Sequence, residues 1–477
     1  MFGSAIVNLT VEKKMNLIWF RNDLRVNDNP ALSSALENKQ RQVVAVYCLC
    51  ANQWAMHDMG NNQQWLVLQA LSQLKVALAK LNIPLVILES ETFQQVPNRL
   101  SELCGKLGVS DLFFNMEYPI YERRRDKAVV EKLADTVKCH RKVGQSLVAP
   151  WEILNGDGGG YKVFSAYARK VQVYLDHNPP INPAPPTARP AENRQIPKIS
   201  GVVSQLPSIK PSAEVTPDIS EDFVNKQLQT FCRQQIGEYK ANRDFPAIQG
   251  TSELSSALAV GTLSVARCYQ TALQAGYPAS STWVNELVWR DFYRSVMWNY
   301  PRVSQRQAFN SVDKFVPWNN DRQVLEDWQS AKTGIPIIDA AMRQLNTTGW
   351  MHNRLRMIVA SYLTKNLFVD WRHGEAYFAQ QLFDFDFASN NGGWQWSASV
   401  GTDAAPYFRV FNPAAQQKKF DPQAEFIKAW LPELKAYSSN AIHKFETAPL
   451  EGYPRPQVDL KATRKLAIES FKRANAA

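Results

Sequence analysis

Short apolar runs alternate with amphipathic stretches over the first third of the chain. LIWF at Leu17 and VVAVYCLC at Val43 read as buried strands, because four to eight apolar residues bounded by polar ones suit a strand covered on both faces. QQWLVLQALSQLKVALAKL, beginning at Gln63, has helical spacing, and IPLVILES supplies a third strand behind it. LSELCGKLG reads as a helix and DLFFNMEY as a fourth strand. Strands alternating with helices predict a doubly wound parallel sheet in an α/β domain over residues 15–145. Such sheets take ligands beyond the carboxyl ends of their strands. No GxGxxG follows the first strand, so the dinucleotide fingerprint is missing.

The pattern then changes. Pro179 to Pro211 contains nine prolines and little periodicity, which predicts an extended connector within a linker over residues 146–219. The glycines of NGDGGGYKVFSAY, just before it, match no P-loop and read as a turn. Over residues 220–470 apolar positions recur at spacings of three and four, which predicts a large all-α domain.

Three segments of that domain mix charge with aromatic rings. In WVNELVWRDFYR, Trp283, Glu286, Arg290 and Tyr293 share a helix face, with Trp289 at its edge. That face suits either solvated salt bridges or a buried ligand, against which Glu286 becomes a carboxyl of raised pKa. In TGWMHNRLRMIVASYL, Trp350, Asn353, Arg354 and Met357 share a face, with Arg356 beside it. FDFDFASNNGGWQW, from Phe383 to Trp396, packs Asp384, Asp386, Asn390 and Asn391 among aromatics. Its adjacent Asn and Gly residues argue against a long regular element. These polar groups suit a planar heteroaromatic ligand, or a capped loop that bonds its own backbone. Upstream, Thr251 and Ser252 precede an apolar-periodic run, where hydroxyls cap a helix and its N–H groups also suit a phosphate.

Composition adds a partner and removes others. The formal charge of +10 favours a polyanion, and fourteen tryptophans point to work beyond packing, such as stacking or carrying electrons. The six cysteines are scattered and lack zinc or disulfide spacing, with Cys48 and Cys50 read as buried thiols in a reducing cytoplasm. His352 lacks a partner for a metal, and the Asp384–Asp386 pair lacks a third acidic ligand. No apolar run is long enough to span a membrane, and the first fourteen residues do not read as a signal peptide.

With NELVWRDFY, KTGIPIIDAAMRQLNTTGWMHNRLRM and NNGGWQWSASVGTDAAPYFRVFNP in view, the chain resembles the photolyase/cryptochrome family, most closely its class I cyclobutane pyrimidine dimer photolyases. The resemblance runs from WFRNDLR at Trp19 to about Leu434. It implies a helical domain holding a U-shaped FAD, active as FADH−, and light-driven repair of a dimer flipped out of DNA. It places Tyr239, Thr251, Ser252, Leu254 and Ser255 on the FAD phosphates and ribityl chain, with Trp283, Glu286, Arg290 and Asn353 also in the FAD site. Arg356 and Asp384 pair beside the isoalloxazine, Asp386 bonds its edge, and Asn390 faces N5. Glu286, Asn353, Met357, Trp289 and Trp396 line the lesion cavity, and Arg243, Arg354 and Arg409 hold DNA phosphates. Trp394, Trp371 and Trp318 form a chain of electron carriers, whereas Trp328 reads as packing.

Met357 and Asn390 match the dimer-repairing members, and no long signalling tail follows. The alternative is an FAD photoreceptor of cryptochrome type that does not repair DNA. An antenna chromophore, 5,10-methenyltetrahydrofolate or a deazaflavin, is expected at the first domain. His57 matches the folate-binding pattern there, whereas Tyr121 with Glu122 and Gln305 depart from it. A monomer acting on UV-damaged DNA, cytoplasmic and nucleoid-associated in a bacterium, is the expectation.

Overall fold

A computed structural model describes residues 15–194 and 201–476; the readings made for the first fourteen residues lie outside them. Five parallel strands form one sheet in the order β3-β2-β1-β4-β5. They are β1 Met15–Phe20, β2 Gln42–Leu49, β3 Leu85–Glu89, β4 Val109–Asn115 and β5 Lys138–Lys142. Side chains alternate across the sheet as the period of two requires. Leu17, Trp19, Val44 and Val46 pack with Val96, Leu100, Val129 and Leu133 on one face. Ile18, Phe20, Val43 and Ala45 face the other way, onto Leu66, Leu71 and Leu74 of the helix Asn61–Lys80. That second core continues without a break into Leu228, Phe231, Trp283 and Phe292, so the sheet and the helical part share one interior.

β5 is an addition to the expected four strands. Its sequence, KCHRK, carries no apolar alternation because it is an edge strand with no fully buried position. Charged residues on an edge discourage pairing with other chains. The opposite edge is covered by the connector: Val203 N–H donates to Ile87 O at 2.8 Å, and Glu89 N–H donates to Gly201 O at 3.3 Å. Before the connector lies the helix Phe164–His177, inside the span read as linker. The NGDGGG segment is a turn whose Asn155 Oδ1 accepts from the N–H groups of Asp157 and Gly159. The six cysteines are free; Cys50 is buried, whereas Cys48 is only partly so.

Among the described residues, no strand follows β5. The helices Thr282–Asn299, Pro336–Thr348, Asn353–Ser361, Trp371–Gln381 and Phe387–Ser397 build the interior of the helical part. A second core gathers Trp328, Ile338, Leu355, Trp371, Phe378 and Trp394 between them.

Two local expectations fail. The Asn-Asn-Gly-Gly run, expected to be irregular, is helical from Phe387 to Ser397. Asp386 caps this helix, accepting from Ser389 N–H at 2.9 Å. Gly392 is there for space: a Cβ on it would lie 2.1 Å from the Tyr293 ring. Packing therefore overrides the poor helix propensity of Gly. Thr251 and Ser252 do not cap a helix. The next helix is Ser255–Val260, with Leu254 at its cap position and no side-chain cap. Glu253, at φ 51°, turns the chain so that the hydroxyls lie away from that helix start. Ser252 Oγ instead accepts from Trp283 Nε1 at 3.4 Å.

Candidate functional site

The helices Asn353–Ser361 and Phe387–Ser397, with the turn that joins Trp371–Gln381 to the latter, enclose a cavity of about 150 Å³. Asn353, Arg356, Met357, Asp384, Asp386, Asn390 and Trp394 line it, joined by Ser389 and Gly393. Asp384 and Asp386 are separated in sequence by Phe385 alone but have different partners. Arg356 Nη2 meets Asp384 Oδ2 at 2.8 Å, while Arg356 Nε donates to Met351 O at 2.8 Å. Asp384 Oδ1 is buried with no partner. Arg294 Nη2 meets Asp386 Oδ2 at 2.5 Å. Burial opposes a charge on Asp386, but the guanidinium groups of Arg294 and Arg290 hold its carboxyl well below the usual carboxylate range.

Asn390 Nδ2 donates to Glu375 O at 3.0 Å. Its amide oxygen is thereby left as the acceptor available to the cavity. Behind it, Asn391 Nδ2 donates to Glu375 Oε1 at 2.8 Å, and burial pushes the Glu375 carboxyl up to about 7. A side chain at Gly393 would meet nothing within 4 Å, so the helix opens onto the cavity there. An unpartnered carboxylate oxygen, an amide oxygen and a paired guanidinium suit the donor and acceptor edge of a flavin ring.

A second constellation stands beside it. Arg243 Nη1 meets Glu286 Oε1 at 2.5 Å, and Arg354 Nη2 meets Asp244 Oδ1 at 2.7 Å. Arg243 Nε lies 3.9 Å from the same Asp244 oxygen, so the four charges form one chain. Burial raises the Glu286 carboxyl, with Arg243 opposing it. Tyr239 is buried with the Arg243 guanidinium 5.3 Å from its ring centroid. Trp289 is half-buried and stacks on Phe164 at 3.6 Å with the planes 8° apart, with the Phe292 and Tyr293 rings each 5.6 Å away. Trp396 is half-buried against Phe411, Asn353 is exposed, and Arg409 is exposed on a loop. Leu254 and Trp283 are buried, whereas Thr251, Ser252 and Ser255 are half-buried. Arg290 donates to Gln145 O at 2.6 Å and to Leu258 O at 3.0 Å, tying the helical part to the end of the α/β span.

Trp394 is buried with its ring edge in the notch left by Gly374, one helical turn from Trp371. Trp371 is fully buried and Trp318 only partly so. Trp328 is fully buried edge-on to Trp394, with ring centroids 6.0 Å apart. His352 caps the helix Asn353–Ser361 by accepting from Arg354 N–H at 3.1 Å, and burial lowers its pKa to about 4. Among the described residues, no group of three or more His, Cys, Asp or Glu is placed to hold a metal ion.

A larger cavity, about 560 Å³, lies between the sheet and the helical part. It brings together His57, Tyr121 and Gln305, which the sequence singled out, with Phe93, Arg124, Arg306 and Phe387. His57 Nδ1 lies 3.8 Å from Glu122 Oε1, and the Phe387 ring stacks over His57 at 6.3 Å. Burial pushes Glu122 up to about 7 and His57 down to about 4, so the His57 imidazole is neutral near pH 7.

Sequence reasoning missed Arg294, Phe164 and Glu375. Arg294 was within reach of the helical spacing, four residues after Arg290. Phe164 and Glu375 carry no local signal, since only the tertiary fold brings them to the site.

Residues 283–473 match the family described as the FAD binding domain of DNA photolyase, and residues 16–188 match DNA photolyase. The deoxyribodipyrimidine photo-lyase of Escherichia coli is 40% identical, with 96% of this chain and 98% of that protein covered. Its counterpart from Salmonella typhimurium is 42% identical over the same shares. The crystal structure of a class III photolyase from Agrobacterium tumefaciens superposes with a TM-score of 0.83 at 30% identity, covering 99% of this chain and 100% of that one. A Synechocystis cryptochrome superposes at 0.81 with 26% identity, covering 96% and 99%. No helix among the described residues is long and apolar enough to cross a membrane. The chain belongs to the DNA photolyase family.

Proposed function

We propose that the two adjoining constellations are the flavin seat and the lesion seat of a deoxyribodipyrimidine photo-lyase. The protein is an FAD-dependent lyase acting on DNA that contains pyrimidine dimers. The observation that carries the assignment of residues is the unpartnered Asp384 Oδ1 beside the Arg356–Asp384 pair, with the Asn390 amide in the same cavity. Arg356 and Asp384 hold the flavin ring edge, and the Asn390 oxygen accepts from the reduced ring at N5. Asp386, fixed by Arg294, sets the position of the helix that carries Asn390. Reduced flavin, when bound and excited by light, supplies the single electron that opens the cyclobutane ring and takes it back.

Glu286 donates a hydrogen bond to the carbonyl groups of the dimer, a task its raised pKa supports. Trp289 offers the face not covered by Phe164, and Trp396 closes the opposite side. Asn353 and Met357 form the floor between the two seats. Arg243, Arg354 and Arg409 hold phosphates on either side of a flipped nucleotide pair, which places part of the excess positive charge on the DNA. Trp394, Trp371 and Trp318 carry electrons inward to re-reduce oxidised flavin. The protein works as a monomer, and the 560 Å³ cavity houses an antenna chromophore against His57 and Tyr121.

The test is blue-light repair of a thymine-dimer oligonucleotide by chemically reduced protein, with a dark control. Light-dependent loss of dimers is expected. No repair despite bound, reduced FAD would overturn the lesion seat and favour a photoreceptor.

A further inference from the structure

The Nε1–H of the fully buried Trp371 donates to Asp313 Oδ1 at 3.0 Å. Asp313 is itself only 9% exposed, and its second oxygen is held by Arg372 Nη2 at 2.7 Å. Arg372 also grips Asp370, at 3.0 and 3.1 Å, and its guanidinium lies 4.5 Å from the centroid of the Trp371 ring system. Trp371 therefore has an anion at its N–H and a cation over its ring. Trp318 has no such anion, since its Nε1 is buried without a hydrogen-bond partner. Trp371 and Trp318 thus differ in their electrostatic surroundings.

We propose that Asp313 is a positioning residue for photoreduction: its carboxylate makes Trp371 easier to oxidise and so draws the hole away from Trp394. This rests on the reading of Trp394, Trp371 and Trp318 as electron carriers. After light has drawn an electron from Trp394 into oxidised flavin, one electron passes from Trp371 to Trp394. Trp394 is restored and Trp371 becomes a radical cation. No bond forms or breaks. The proton stays on Nε1, because Asp313 is bound to Arg372 and remains a carboxylate. An external thiol then returns the electron by way of Trp318. Asp313 acts through the indole N–H itself and Arg372 opposes it from over the ring, so the net effect of the charge on the adjacent equilibrium is about tenfold rather than that of an unopposed anion.

A purely structural role is the competing account, in which Asp313 ties the turn Ser311–Phe315 to the helix Trp371–Gln381. Flash photolysis of the oxidised holoprotein with dithiothreitol separates the two. Asp313→Asn keeps an acceptor for the indole but removes the charge. It is expected to lower the yield of lasting flavin reduction about tenfold, with flavin content and thermal midpoint retained, and Asp313→Glu should restore most of the yield. An unchanged yield in Asp313→Asn, while Trp371→Phe abolishes reduction, would overturn the role of Asp313 and leave the path standing. Full reduction in Trp371→Phe would overturn the path itself, and the proposal with it. If Asp313→Asn loses flavin, time-resolved infrared spectra of the unaltered protein decide. A tryptophan radical cation with no new protonated-carboxyl band supports the proposal, and a protonated carboxyl appearing with a neutral tryptophan radical overturns it.

Discussion

Arg243 Nη1 closes on Glu286 Oε1 at 2.5 Å, so the group assigned to the lesion and a group assigned to DNA phosphate neutralise each other in the free protein. The pair is partly exposed, which limits its worth to stability. It also stores the site in a resting form. On the assignment proposed above, a phosphate that takes Arg243 would leave the part-buried Glu286 carboxyl without its cation, and desolvation would then favour the protonated form that can donate to a carbonyl.

Glu286→Ala is expected to keep FAD bound and to lower repair per absorbed photon several-fold, in line with losing a hydrogen bond of about 0.5–1.5 kcal/mol. The measurement is the quantum yield of dimer loss with the reduced protein saturated in substrate. An unchanged yield would remove Glu286 from the lesion seat.

Arg409 is exposed and has no carboxylate partner among the described residues. Arg409→Ala is therefore expected to weaken binding without disturbing a resident ion pair. The plot of log affinity against log salt should lose about 0.9 of its slope, the value for one phosphate contact. Titrations of a dimer-containing duplex at several salt concentrations give the slope. The same slope in both proteins would place Arg409 outside the DNA interface.

The sheet was legible in the sequence because its inner strands are apolar on both faces, so LIWF and VVAVYCLC needed no context. β5 was not, because an edge strand such as KCHRK need not be apolar. That Asp384, Asn390 and Met357 line one cavity could be suspected from motif likeness, not from periodicity. The helix through Asn390 and Asn391 was hidden because local propensity opposes it, and only the Tyr293 ring and the cavity require its glycines. Arg290 lies on the helical face that its spacing predicts, and the fold adds what spacing does not show, that its guanidinium reaches Gln145 O.

Glu375 gives a pH signature. Its carboxyl titrates near 4.3 in an unfolded chain and at about 7 in the folded one, because burial disfavours its charge. The folded state therefore binds more protons between those values, and stability falls as pH rises through that window. The contribution is fully present below the unfolded value and is lost above about 7. Glu375→Gln keeps an acceptor for Asn391 and removes the titration. It is expected to gain on the order of 1–3 kcal/mol relative to the unaltered protein at pH 8 compared with pH 4. Denaturant melts at the two pH values measure the difference, and parallel pH profiles would contradict it.

Trp318→Phe is expected to slow photoreduction of oxidised flavin while repair by protein already reduced proceeds as before. Trp318 is the half-buried member of the three indoles and packs edge-on to Phe471, away from the lesion seat. On the path proposed above, its loss would cut the supply of electrons from outside and spare the residues assigned to flavin and lesion. Equal loss of repair by the pre-reduced protein would mean that the path is misassigned.

Gly392 and Gly393 are neighbours on one helix, yet the same substitution should act oppositely on them. A Cβ at Gly392 would lie 2.1 Å from Tyr293 Cδ1, closer than carbon atoms tolerate, so the helix or the ring must move. Gly392→Ala should destabilise the protein by about 1–3 kcal/mol, the usual result of overpacking a core. Gly393 has open space in front of it, and that space is the cavity assigned to flavin. Gly393→Ala relieves the entropic penalty of glycine in a helix and should stabilise the flavin-free protein by about 0.5–1 kcal/mol. It should also weaken flavin binding, because the methyl group occupies room the ring needs. Thermal melts of flavin-free protein and flavin titrations read the two effects separately. A Gly393→Ala protein that binds flavin as tightly as the unaltered chain would show that the ring does not lie against this helix.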